Sequence, residues 1–216
     1  MERGSARMAL TPDDLAWAAT VCGDALAPAL GEDWSVAAGD LAWDCRRTLD
    51  HVADALMFYA GHLAARATAK VTPVRNGDPE RSVGELLTVV GETAAILAGV
   101  ARAAPVGTRA FHPAGMADVE GFVAMGCVEM LIHTDDMTRG LGRTFRPPDE
   151  LTRGVVQRLF PWAPTAGDPW EALRWACGRA SLGDRERLEP DWYWQCAPLA
   201  EWDGTVKKRT APPGWR

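Results

Sequence analysis

Positive charge is in short supply in this chain. Lys and Arg number 23 against 29 Asp and Glu, a net charge of −6, so no diffuse basic field draws in nucleic acid or an anionic lipid surface. Long apolar runs are missing too: stretches such as Ala94 to Ala101 fall well short of the roughly 20 residues a membrane helix needs. The chain does not open on a basic-then-apolar secretory pattern, and the expectation is a cytoplasmic protein with no membrane partner. Cysteine is sparse and odd in number: Cys22, Cys45, Cys127, Cys177 and Cys196 are widely spaced and form no C-x-x-C pair. That argues against a disulfide framework or a cysteine zinc site and fits a reducing compartment. No internal repeat is found. What remains is 216 residues, 47% of them hydrophobic, enough for a packed core without staples and too apolar for a disordered chain.

Helix punctuation organises the sequence. Thr11, Pro12, Asp13 and Asp14 combine a capping residue, a first-turn proline and acids, and predict a helix from Pro12 to near Ala29, closed by Gly31. A second helix starts near Asp44, carries Leu49, Val52, Ala53, Leu56, Tyr59, Ala60 and Leu63 on one stripe, and stops before Thr72-Pro73. Asn76-Gly77-Asp78-Pro79 reads as a turn, and Ser82 with Glu85 as a capping box opening a third helix to about Ala104. A loop holding Phe111-His112-Pro113 and Gly115 leads to a fourth helix, capped by Asp118 and running to about Arg139. Two shorter helices follow, one from Pro147-Pro148 to about Phe160 and one opened by Asp168-Pro169. The last ~30 residues lack helical periodicity and read as a Trp-rich tail or one short strand pair. The expected fold is an all-α helical bundle over residues 10–145, with a helical extension and irregular tail over 146–216 packed on it.

The four histidines carry the candidate chemistry. Glu129 and His133 are four residues apart, about 6 Å along one helix face, and their neighbours Gly126, Met130 and Met137 are small or apolar. A carboxylate and an imidazole on an inward face are either a core hydrogen bond or part of a divalent metal site completed from a facing helix. His51, on the stripe of the second helix between Asp50 and Asp54, is the candidate third ligand. His62 lies ~16 Å further along that helix, too far for the same ion, and suits surface or bundle-end packing. His112, in its Pro/Gly loop, is placed to reach the bundle mouth. Asp136 and Asp54, three residues after His133 and His51, are either carboxylates that orient those rings or solvent-facing helix charge. Cys127 points nearly opposite Glu129. Trp162, Trp170, Trp175, Trp192 and Trp194 pin the C-terminal segment or wall an apolar pocket.

Trp43, then His51 eight residues later, then Glu129-x-x-x-His133-x-x-Asp136 resembles the DinB superfamily. Within it the chain is most similar to the maleylpyruvate isomerase N-terminal domain family, whose best-known member depends on the thiol mycothiol. The resemblance covers roughly residues 10–145 and implies a DinB-like four-helix bundle holding a divalent metal, commonly zinc or nickel, on His51, Glu129 and His133. Beyond residue 145 the chain departs from the family pattern, so maleylpyruvate itself does not follow as substrate. Three protein ligands leave an open position, as a catalytic site requires. The implied function is a metal-dependent thiol (mycothiol-like) S-transferase or isomerase acting on a small electrophile. The alternative is a non-catalytic small-molecule-binding or stress-associated bundle. Two His and one carboxylate also suit an iron facial triad. A small-molecule substrate is the expected partner, and pairing into a homodimer stays open.

Overall fold

The computed structural model describes residues 9–72 and 80–210. Among them are six α-helices and one two-stranded hairpin, a mostly helical fold. Helix α1 (Pro12–Leu26) begins where the Thr11 N–H donates to the Asp14 carboxylate at 2.7 Å. Its predicted last turn is a 3-10 turn, Ala27–Ala29, because Pro28 has no N–H with which to continue an α-helical ladder. Helix α2 (Cys45–Ala65) is capped by Asp44, which accepts from the Arg47 N–H. It ends as Arg66 turns left-handed with φ 49°. The Asn76–Pro79 turn expected next lies outside the described residues. Helix α3 (Val83–Ala103) starts on the Ser82/Glu85 capping box.

By length and composition α3 is apolar enough to cross a membrane, at mean hydropathy 1.6. The reading by unbroken runs missed it because Glu85, Thr88 and Glu92 interrupt the apolar residues. In the fold α3 packs against α1, α2 and α4, with Glu85 and Glu92 exposed.

The loop predicted around Phe111-His112-Pro113 is a hairpin instead. β1 (Arg109–His112) pairs antiparallel with β2 (Gly115–Asp118), with Arg109 opposite Asp118 and His112 opposite Gly115. Four-residue strands are too short to show an alternating pattern in sequence. The turn needs Gly115, whose φ is 143°. The strand pair weighed for the tail reduces to one bridge, Trp192 to Lys208.

Helix α4 (Val119–Gly140), capped by Asp118, is buried along nearly its whole length. It packs against α1, α2, α3 and α5, while α2 also meets α3 and α1 also meets α3. Helices α5 (Asp149–Leu159) and α6 (Pro169–Ala176) pack on each other. The remaining chain to residue 210 is irregular apart from a 3-10 turn at Leu199–Glu201. The apolar core is continuous from Leu10 through α1–α6 to Trp192 and Cys196.

Arg158, fully buried on α5, ties this irregular segment down by donating to the carbonyls of Gln195 at 2.8 Å and Cys196 at 3.1 Å. Contact there is close enough to require glycine: a Cβ on Gly121 would stand 2.1 Å from the Cys196 carbonyl oxygen. Gly121→Ala is therefore expected to lower stability by about 1–3 kcal/mol. Gly99→Ala, on a stretch of α3 with nothing within 4 Å, should be neutral or stabilising by up to about 1 kcal/mol. Urea unfolding of the two variants checks the contrast, and equal effects would contradict it.

Candidate metal centre

The buried face of α4 and the facing side of α2 bring three expected residues together. His51 Nε2 lies 3.5 Å and His133 Nε2 3.3 Å from the same Glu129 oxygen, Oε2. One donor atom from each of the three lies within 4.8 Å of the others. Ligand atoms around a zinc ion at 2.0–2.1 Å stand roughly 3.3–3.4 Å apart in a tetrahedron, so the donor set fits such an ion in kind, and the two separations from Glu129 Oε2 fit it in spacing.

Neighbouring groups fix each of these side chains. Tyr59, buried on α2, donates its O–H to Glu129 Oε1 at 2.8 Å, which leaves Oε2 for the two imidazoles. His133 Nδ1 pairs with Asp136 Oδ2 at 3.0 Å, so its Nε2 faces Glu129, the usual arrangement of a carboxylate behind a ligating imidazole. Asp136 is itself held by Arg179, with Nη2 at 2.8 Å and Nε at 3.2 Å, and by Arg139 Nη2 at 2.8 Å. The Trp43 ring meets His51 edge-on at 4.9 Å, and the His51 and His133 rings stand nearly perpendicular at 5.2 Å.

Charge follows geometry. Burial pushes the Glu129 carboxyl up, but hydrogen bonds and charge from His133 and His51 outweigh it and hold the group well below the usual carboxylate range. Burial likewise opposes ionisation of Asp136, yet Arg179 and His133 keep it ionised far into acid. His133 is raised, because Asp136 and Glu129 outweigh the cost of burying its charge.

The cluster opens on a cavity of about 330 Å³. Trp43, Tyr59, Trp192, Tyr193 and Trp194 give it an aromatic wall, and Arg179 and Arg209 also line it. Of the five tryptophans weighed for the C-terminal segment, Trp192 and Trp194 reach this wall.

The other expectations resolve as follows. Asp136 pairs with His133 at 3.0 Å, and Asp54 is half-buried on α2, outside the three-residue donor cluster; Glu129 lies 3.5 Å from His51. His62 is buried at the end of α2, not on the surface: its Nδ1–H donates to the Phe58 carbonyl at 2.9 Å and its Nε2 accepts from the Val71 N–H at 3.1 Å. His112 does reach the cavity. All five cysteines are buried free thiols, and burial pushes Cys22 up to about 12 and Cys127 well above the ordinary thiol value. Tyr59, Arg179 and Arg209 were not singled out from sequence as site residues. Their partners lie far along the chain, as Glu129 does from Tyr59, so no local spacing marks them.

His112 supplies a pH prediction. Its Nδ1 accepts from the Ala114 N–H at 3.1 Å, and burial pushes the imidazole down to about 3. The unfolded chain takes up this proton below about 6.5 and the folded chain resists it. Stability should thus fall on acidification across that window, by at most about 1.4 kcal/mol per pH unit from this group. His112→Gln should flatten the fall in urea unfolding between pH 7 and pH 4.5, and an unchanged slope would contradict the assignment.

Comparison with protein-family models, curated proteins and solved structures finds no match to the chain.

Proposed function

We propose that the protein is a cytoplasmic, metal-dependent enzyme of DinB type, built on a four-helix bundle of α1–α4, that joins a small thiol of the mycothiol kind to a small electrophile or isomerises one through such an adduct. The observation that carries this reading is the convergence of His51, Glu129 and His133 beside a cavity of small-molecule size.

These three residues would hold a divalent ion, zinc first, with nickel or iron suited to the same donors. A bound ion supplies a Lewis acid that favours the ionised form of a thiol at neutral pH. The chain's own residues set up the rest. Tyr59 fixes which Glu129 oxygen is free, and Asp136 with Arg179 fixes which His133 nitrogen faces it. The aromatic wall would give a small substrate an apolar surface to pack against. In transfer, the thiol sulfur forms the new C–S bond, the leaving group departs with its electron pair, and the thiol proton passes to solvent.

The test is conjugation of a small thiol to a chromogenic haloarene by zinc-loaded protein. A metal-dependent rate that His51→Ala abolishes supports the proposal. A rate indifferent to metal and to His51 overturns it, and zinc uptake without turnover of any thiol favours a binding protein.

A further inference from the structure

Helix α4 ends on a side chain that faces both halves of the donor set. Asp135 and Asp136 precede Arg139 by four and three residues, the spacings at which side chains meet on a helix. Arg139 donates from Nε to Asp135 Oδ2 at 3.0 Å and from Nη2 to Asp136 Oδ1 at 2.8 Å. The other oxygen of Asp136, Oδ2, meets His133 Nδ1 at 3.0 Å. One carboxylate thus separates the guanidinium from the first imidazole.

The same guanidinium also holds a loop. Residues 36–44 turn back on themselves before α2, closed by the bridge of Ala37 to Asp44 and by the Ala38 N–H donating to the Trp43 carbonyl at 2.9 Å. Gly39, with φ 58°, lies so close to Arg139 that a Cβ there would stand 2.7 Å from Cζ, Nη1 and Nη2 alike. A flat group over a bare backbone fits that approach. Asp40 accepts from Arg139 Nη2 at 3.4 Å and pairs with Arg187. Gly140 seats the loop a second time, since a Cβ on it would stand 2.2 Å from the Ala37 carbonyl oxygen. At the end of the loop the Trp43 ring lies under the Arg47 guanidinium at 4.9 Å and meets His51 edge-on at 4.9 Å. A ring fixed at that distance limits the rotamers open to the imidazole.

We propose that Arg139 is a positioning residue for both imidazoles: through Asp136 it fixes His133, and through Gly39 and Trp43 it fixes His51. One side chain then sets the spacing of two histidines that come from different helices. The route to His51 needs the arginine fork. A lysine ammonium keeps the charge beside Asp136, but it has no plane to lay on Gly39 and no second nitrogen for Asp40. The proposal rests on the metal reading only for its zinc readout, because the orientation of the imidazoles is measurable in metal-free protein.

The test compares wild type with Arg139→Met, Arg139→Lys, Trp43→Leu and Arg174→Met. Arg174 shares Asp135 with Arg139 and has no part in either route, so its loss reports the general cost of breaking the charge network. Proton NMR of metal-free protein reads the ring shifts of His51 and His133 and the cross-relaxation between Trp43 and His51, and a competition titration reads zinc. Arg139→Met should move both rings, weaken the Trp43–His51 contact and cost about tenfold in zinc affinity, the lower end of what an outer partner supplies. Arg139→Lys should leave His133 near its wild-type position while His51 moves. Trp43→Leu should weaken zinc by itself, and adding Arg139→Met to it should cost less than the two losses multiplied, since they share a route. An unchanged Trp43–His51 contact in Arg139→Met overturns the proposal, whatever happens at His133. A zinc loss in Arg174→Met equal to that in Arg139→Met overturns it too, by making the effect one of stability alone. Where Arg139→Met does not fold, Arg139→Lys decides, and an unmoved His51 ring in it counts against the proposal. In a protein that takes up no zinc, the same movements of both rings would remove the metal reading and leave Arg139 as the residue that orders the pair.

Discussion

Replacing Asp136 with Ala is expected to lower folding stability by about 3–5 kcal/mol and to weaken zinc binding about 10–100-fold. The carboxylate is fully buried and serves three partners: His133, Arg179 and Arg139. Arg179 is buried as well, so removing its counter-charge strands a guanidinium away from water, the costly way to break a buried pair. The same change frees His133 to rotate or to switch tautomer, and a ligating nitrogen no longer held in place binds metal less well. Asp136→Asn keeps the shape and removes the charge, so it should lie between wild type and Asp136→Ala in stability. Chemical denaturation and a competitive zinc titration measure the two effects. A variant that lost stability and kept full zinc affinity would show that Asp136 staples the C-terminal segment without tuning His133.

The second large effect concerns His133 itself. His133→Ala should cost about a hundredfold or more in metal affinity, beyond the loss expected for an outer partner, with limited loss of helix content. The two consequences separate because they have different origins. The metal depends on one nitrogen, whereas α4 is held by apolar contacts with four other helices and helical stability in proteins comes mainly from such packing. Zinc titration and circular dichroism on one preparation check both halves. Normal metal affinity in the variant would show the ligand assignment to be wrong.

Legibility in the sequence follows the range of the interaction. Thr11, Asp44, Ser82, Asp118 and Asp168 mark helix starts within three or four residues, and each lies next to the helix it opens. Glu129, His133 and Asp136 share one helix face by spacing alone. His51 is legible only as an imidazole on the apolar stripe of a second helix, and the fold sets that stripe against the Glu129–His133 face. The β1–β2 hairpin left no periodic trace because its strands are so short. Tyr59 read as one more apolar stripe residue because nothing near it in sequence reveals a carboxylate 70 positions away. Arg179 and Arg209 sit in irregular chain, where their direction depends on how the C-terminal segment lies over α4.

The most direct test of the account is elemental analysis of protein purified without a histidine tag or chelator, with His51→Ala prepared alongside. The account predicts about one zinc or nickel ion per chain, lost in the variant. Protein that carries no metal and takes up none from added zinc, nickel or iron would contradict it.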